Sequence, residues 1–103
     1  MSTPAVELSW QGPDGIVAVI TMDDGKANAV SPTLQADLNA ALDQAEKDKA
    51  PVVLTGRPGI LSAGFDLKIL AASGQPAVDM LNGGIELAIR LMSFPTPIIA
   101  ACP

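Results

Sequence analysis

From Val6 to Trp10 apolar and polar residues alternate, the two-residue period of a strand with one covered face. Gly12-Pro13-Asp14-Gly15 interrupts with turn residues, and Ile16-Val17-Ala18-Val19-Ile20 continues as a β-branched run, so this stretch predicts a β-hairpin. After Met22 the residues Asp23-Asp24-Gly25-Lys26-Ala27-Asn28-Ala29-Val30 lose all periodicity, which predicts a loop available for binding. Ser31-Pro32 then predicts a helix start. The hydroxyl accepts from an N–H that lacks an intrahelical partner, and proline at the first helical position gives up no bond. Leu34, Leu38 and Leu42, with Ala41 and Ala45, fall on one helical face, while Gln35, Asp37, Asp43, Glu46 and Lys47 fall off it, and the helix is expected to end near Asp48.

Lys49-Ala50-Pro51 resets the chain before the apolar run Val52-Val53-Leu54, a short strand whose order after hairpin and helix implies a parallel crossover. Thr55-Gly56-Arg57-Pro58-Gly59 is a punctuated loop, Ser62 to Lys68 a turn leading into a helix, and Ala71 to Pro76 a flexible connector. A second long helix is expected from about Ala77 to Met92, with Val78, Leu81, Ile85, Ala88 and Met92 on its buried stripe, widened by Met80, Leu87 and Leu91. Its Gly83-Gly84 pair costs roughly 1 kcal/mol per glycine relative to alanine and marks either close packing or a kink. Pro95 and Pro97 end that helix, and Ile98 to Cys102 reads as a fully buried strand. The element order predicts an α/β fold, with no internal repeat or low-complexity tract.

Composition narrows the class. At 103 residues, with 49% hydrophobic content, the chain buries one modest core, as one domain or part of one. Aromatic residues make up only 3% and tyrosine is absent, so stacking platforms for single-stranded bases are missing. A net charge of −5, with the six basic residues scattered, argues against nucleic-acid and membrane-surface partners. The single cysteine, Cys102, excludes an internal disulfide and reads as a small core residue rather than a nucleophile; a reducing, cytoplasmic location is expected. With no histidine there is no His-dependent triad and no His-containing metal site in this chain. Met1 to Pro4 carries neither a basic residue nor an apolar segment, so no signal peptide is expected, and no apolar run approaches a membrane span.

The most informative stretch is Ser62-Ala63-Gly64-Phe65-Asp66-Leu67-Lys68. A strand, a glycine-bearing turn and a helix start in that order present backbone N–H groups to an anion, and the small residues let a ligand approach the main chain. Such a site suits a developing oxyanion. Together with Ile16 to Ile20, Lys26 to Ala29, Val52 to Gly56 and Pro95 to Ala101, this stretch is similar in order and spacing to the N-terminal half of the enoyl-CoA hydratase/isomerase (crotonase) superfamily. The resemblance covers the chain from about Val6 onward.

That resemblance implies a crotonase-like spiral of ββα units, of which residues 1–103 supply the N-terminal part of one domain. It implies an acyl-CoA substrate, most often a 2-enoyl-CoA to be hydrated, with coenzyme A entering as part of the substrate, no metal or redox cofactor, and a trimer or dimer of trimers. The family resemblance assigns the backbone N–H of Phe65 to the thioester oxygen, and Ala63, Gly64, Asp66, Leu67 and Lys68 to the acyl and pantetheine channel. Lys26, Ala27, Asn28 and Ala29 match the stretch that contacts the nucleotide and pantetheine, with Lys26 a phosphate partner. The family's second oxyanion donor and its acid/base carboxylates lie beyond Pro103, so the isolated 103-residue chain is expected to be inactive. The alternatives are a non-catalytic or truncated acyl-CoA-binding homologue, or a thioester isomerase or hydrolase of the same superfamily.

Several conspicuous residues have plainer readings. Asn82, Glu86 and Arg90 share one helical face, so Glu86 reads as a solvated partner of Arg90 rather than a general base. Asp23 and Asp24 read as loop-solubilising, Asn28 as bonding its own turn, and Trp10 and Phe94 as core or edge packing.

Overall fold

The computed structural model describes residues 6–24, 28–62, 64–65 and 67–101, with the Pro13 side chain left aside. Four strands form one sheet in the order β1 (Val6–Gln11), β2 (Val17–Met22), β3 (Val52–Thr55), β4 (Ile98–Ala101). β1 and β2 are the expected antiparallel hairpin, with Val6 opposite Met22 and Gln11 opposite Val17. β3 runs parallel to β2, and β4 parallel to β3, with Ile20, Leu54 and Ala100 in one row. The first crossover is helix α1 (Pro32–Lys47); the second comprises α2 (Leu67–Ala72) and α3 (Gln75–Met92).

The register sorts the sheet into two faces. Ala18, Ile20 and Met22 share a face with Val52 and Leu54, and all five are buried in one cluster with Leu34, Leu38, Leu42 and Ala45 of α1. Ser31 caps α1 as expected: its Oγ accepts from Leu34 N at 3.2 Å, and Pro32 occupies the first turn. Such a cap is worth about 1 kcal/mol. The opposite face carries Val19, Val53 and Ile99 in a row and is only partly covered.

Three expectations are corrected. β4 is an edge strand paired on one side with β3, and Ile99 is 62% exposed, so the run is not fully buried in this structure. The α3 stripe is shifted to one side: Met80 and Leu87, expected at its margin, are buried with Ala77, whereas Val78, Leu81, Ile85, Ala88 and Met92 are exposed. α3 is apolar except for one polar stripe, and it turns its glycines inward beside Met80 and Leu87. A Cβ on Gly83 would overlap the Gln35 side chain, and one on Gly84 would overlap the Phe65 ring, so the pair serves close packing. Finally, the connector shortens to Ser73-Gly74, both at positive φ, because α2 continues through Ala72 and α3 starts at Gln75.

Arg90 joins the two long helices. Its guanidinium donates to Asn39 Oδ1 at 2.9 Å and Asp43 Oδ1 at 2.6 Å, with Glu46 Oε1 at 3.6 Å. The cross-helix pairing replaces the expected surface pair with Glu86. Asp43 and Glu46 are well exposed, so these ion pairs contribute at most about 1 kcal/mol.

Candidate oxyanion-binding site

Parallel strands point the same way, so the loops that leave their carboxyl ends gather along one edge of the sheet, the usual ligand edge of an α/β fold. Here the loop after β2 meets the loop after β3. The hinge between them is Asn28, fully buried at 0% exposure and left-handed at φ 54°, a conformation asparagine tolerates better than most residues. Its Nδ2 donates to Met22 O at 2.7 Å and to Leu61 O at 3.1 Å. Asp24 N donates to its Oδ1 at 2.9 Å, and its own N donates to Asp24 Oδ1 at 3.0 Å. The first loop is thereby closed on itself and tied to the second.

The second loop is shaped by its punctuation. Arg57-Pro58-Gly59-Ile60 forms a tight turn with Ile60 N donating to Arg57 O at 3.0 Å and Gly59 at φ 84°; proline then positive-φ glycine is the type II signature. Gly56 is required by space: a Cβ there would lie 2.7 Å from Leu61 Cα, against the returning backbone. Arg57 Nε approaches Asp23 Oδ1 at 3.1 Å, a partly exposed pair bracing one loop on the other.

The two loops then touch along their backbones. Ala29 and Gly64 form a parallel bridge, and Val30 N donates to Gly64 O at 2.6 Å. Ser62 Oγ donates to Asn28 O at 2.7 Å and accepts from Gly64 N at 3.1 Å. Gly64 sits at φ 91°, and a Cβ on it would meet nothing within 4 Å, so its backbone conformation requires glycine while the space before it is open. Phe65 follows, half-buried, with its ring against Gly84 of α3. Among the described residues nothing accepts from the Phe65 N–H. A fixed loop therefore presents an uncommitted backbone donor beside open space, which is the geometry an oxyanion requires.

A profile of the enoyl-CoA hydratase/isomerase family matches residues 13–103. The chain belongs to the enoyl-CoA hydratase/isomerase family. It is 37% identical over 92 residues to a probable enoyl-CoA hydratase of Bacillus subtilis, covering 85% of this chain and 36% of that protein. Its structure superposes on an enoyl-CoA hydratase/isomerase family protein of Pseudomonas syringae with a TM-score of 0.85 at 50% identity, covering 93% of this chain and 41% of the other. A Mycobacterium tuberculosis enoyl-CoA isomerase gives 0.86 at 48% identity, over 94% and 41% of the two chains. The elements form the N-terminal portion of the crotonase-like α/β fold, and the chain spans about two-fifths of the length of its solved relatives.

Of the residues that the family resemblance singles out, Asn28, Ala29, Gly64 and Phe65 are brought together at the two-loop junction. Leu67 and Lys68 lie exposed on the first turn of α2. Lys26, Ala27, Ala63 and Asp66, and Cys102 at the end of the chain, lie outside the described residues. Asn28 bonds its own loop as its plainer reading held, and also reaches Leu61 in the next one. Asp23 and Asp24 brace loops rather than merely solubilise them. Phe94 packs against the core, and Trp10 stands half-exposed on β1.

Gln35 and Ser62 were not expected as structural links. Gln35 is only 8% exposed although it was placed off the apolar face of α1; it sits at i, i+3, i+7 with Leu38 and Leu42, and that spacing is the signal for it. A shallow cavity of about 460 Å³ beside Trp10, Ile16, Lys49 and Pro51 lies at the other end of the parallel strands, away from this junction. Among the described residues no helix is long and apolar enough to cross a membrane, and no group of three or more potential ligands could hold a metal.

Proposed function

We propose that this chain supplies the acyl-CoA-binding, N-terminal part of a crotonase-type domain, and that the Phe65 N–H donates to the thioester oxygen of a bound 2-enoyl-CoA during hydration. The observation that carries the reading is the Phe65 amide itself, without an acceptor among the described residues and preceded by an unobstructed glycine. A donor at that oxygen draws electron density from the conjugated double bond, so that water adds at the β-carbon and charge collects as a thioester enolate. One such donor is worth about 3 to 4 kcal/mol of barrier. Lys26 is assigned to a CoA phosphate, Ala27, Asn28 and Ala29 to the nucleotide and pantetheine of CoA, and Ala63, Gly64, Asp66, Leu67 and Lys68 to the walls of the acyl and pantetheine channel. CoA enters as part of the substrate with no separate cofactor, in a cytoplasmic trimer or dimer of trimers.

A second reading, isomerisation, follows the name that one structure of the Mycobacterium tuberculosis relative carries; another structure of that same protein is named a probable enoyl-CoA hydratase. Both reactions place negative charge on the thioester oxygen, as a β-hydroxy enolate in hydration and as a dienolate in isomerisation, and they differ in the groups that move protons. Turnover of crotonyl-CoA against a 3-enoyl-CoA by the native protein separates them. Phe65→Pro removes the N–H and is expected to lower kcat by about 100-fold or more, whereas Phe65→Leu keeps the amide and stays within about tenfold. Equal losses from both variants would sink the amide's role.

A further inference from the structure

We infer that Gln35 is a positioning residue for the Phe65 amide, holding the loop that carries it against α1 and α3; the inference rests on the oxyanion reading above. Gln35 lies on the buried side of α1, where an apolar side chain would be the ordinary occupant. Its Nε2 donates to Met80 O of α3 at 2.9 Å and to Val30 O at 3.3 Å. Both partners are carbonyls, so the amide must present its NH2 end, and both of its N–H groups are used. Val30 in turn donates to Gly64 O at 2.6 Å. A continuous path of three hydrogen bonds therefore runs from α3 through Gln35 and Val30 to the residue that precedes Phe65.

A packing path runs beside it. Gly83 gives its Cβ space to the Gln35 side chain and Gly84 gives its own to the Phe65 ring, so both side chains rest on one glycine patch of α3. Packing alone does not call for a glutamine here. Methionine fills similar volume, but it would leave the Val30 and Met80 carbonyls without this donor. A donor aimed at developing charge has to be held within a fraction of an ångström, and side chains locked by packing and hydrogen bonds do that for a loop.

The test compares the native protein with Gln35→Met and Gly84→Ala. In Gln35→Met, hydrogen exchange at the Val30 amide should accelerate about tenfold or more while the Leu38 and Ala41 amides of α1 stay unchanged. With crotonyl-CoA, kcat should fall about 10- to 100-fold in both variants while KM moves less than about threefold. The infrared shift of the bound thioester carbonyl should shrink in step with the logarithm of the loss in kcat. Uniform acceleration along α1 would mean simple destabilisation and would overturn the positioning role. Unmoved Val30 exchange with normal turnover overturns it alone, leaving the site reading intact. A complete crotonase-type domain carrying these 103 residues unchanged that turns over no acyl-CoA overturns both.

Discussion

α1 and α3 are the two long helices of this chain, and they reach the same interface by opposite routes. α1 is amphipathic, and the residues its spacing singles out, Leu34, Leu38, Ala41, Leu42 and Ala45, are all buried. α3 keeps Asp79, Asn82, Glu86 and Arg90 on one polar stripe and is apolar over the wide arc that remains, of which only the side with Ala77, Met80 and Leu87 is buried. Within that arc the glycines mark the packed side. Gly83 and Gly84 let the Gln35 and Phe65 side chains come in close, and the stripe with Val78, Ile85 and Met92 is left outward. Where an apolar arc is wider than the surface it meets, small residues help decide which part of it is packed.

The largest effect that tests this contrast belongs to α1. Leu42 is fully buried at 0% exposure, so Leu42→Ala should destabilise the protein by about 2 to 5 kcal/mol in denaturant titration. An effect under about 1 kcal/mol would mean that the α1 stripe is not the core. Gly83→Ala comes next, and its sign is the issue. Helix propensity alone favours alanine by about 1 kcal/mol, whereas crowding of Gln35 should make the substitution destabilising by about 1 to 3 kcal/mol. A stabilised variant would show that Gln35 yields freely and that the glycines do not set the packing. The smallest effect is expected on the outward stripe, where Ile85 is 57% exposed: Ile85→Gln should change stability by no more than about 0.5 kcal/mol. A cost above about 2 kcal/mol in the native protein would reveal another surface covering α3.

The same contrast explains what the sequence made legible. The hairpin, the Ser31 cap, α1 and the parallel β3 follow from local rules, because alternation, capping and a single apolar stripe each point to one answer. The candidate site stands out as a segment: Gly64 and Phe65 lie in a strand-turn-helix order, and the structure sets them beside Asn28 and Ala29. What could not be read were the links that cross the chain. Asn28 reaching Leu61, Gln35 reaching Met80 and Arg90 reaching Asp43 depend on which helix faces meet, and the α3 face was misjudged. Once α3 is turned, Gln35 becomes an interior residue and Glu86 is no longer the partner of Arg90. The exposure of β4 has a similar origin, since an apolar run such as Ile98 to Ala101 does not say how many neighbours its strand has.

The sheet and the two-loop junction are also held by different kinds of bond. Strand pairing is made by main-chain groups that every residue but proline possesses, so it is nearly indifferent to side-chain identity. The junction is held by the side chains of Asn28, Ser62 and Gln35, each bonding to a backbone atom of a neighbouring segment. Substitutions at these few positions can shift the Phe65 amide by small amounts without disturbing a ladder bond. A scaffold so divided can be retuned toward a new ligand while its fold stays inherited, because the positions that set the architecture and those that hold the loop junction are different letters of the sequence.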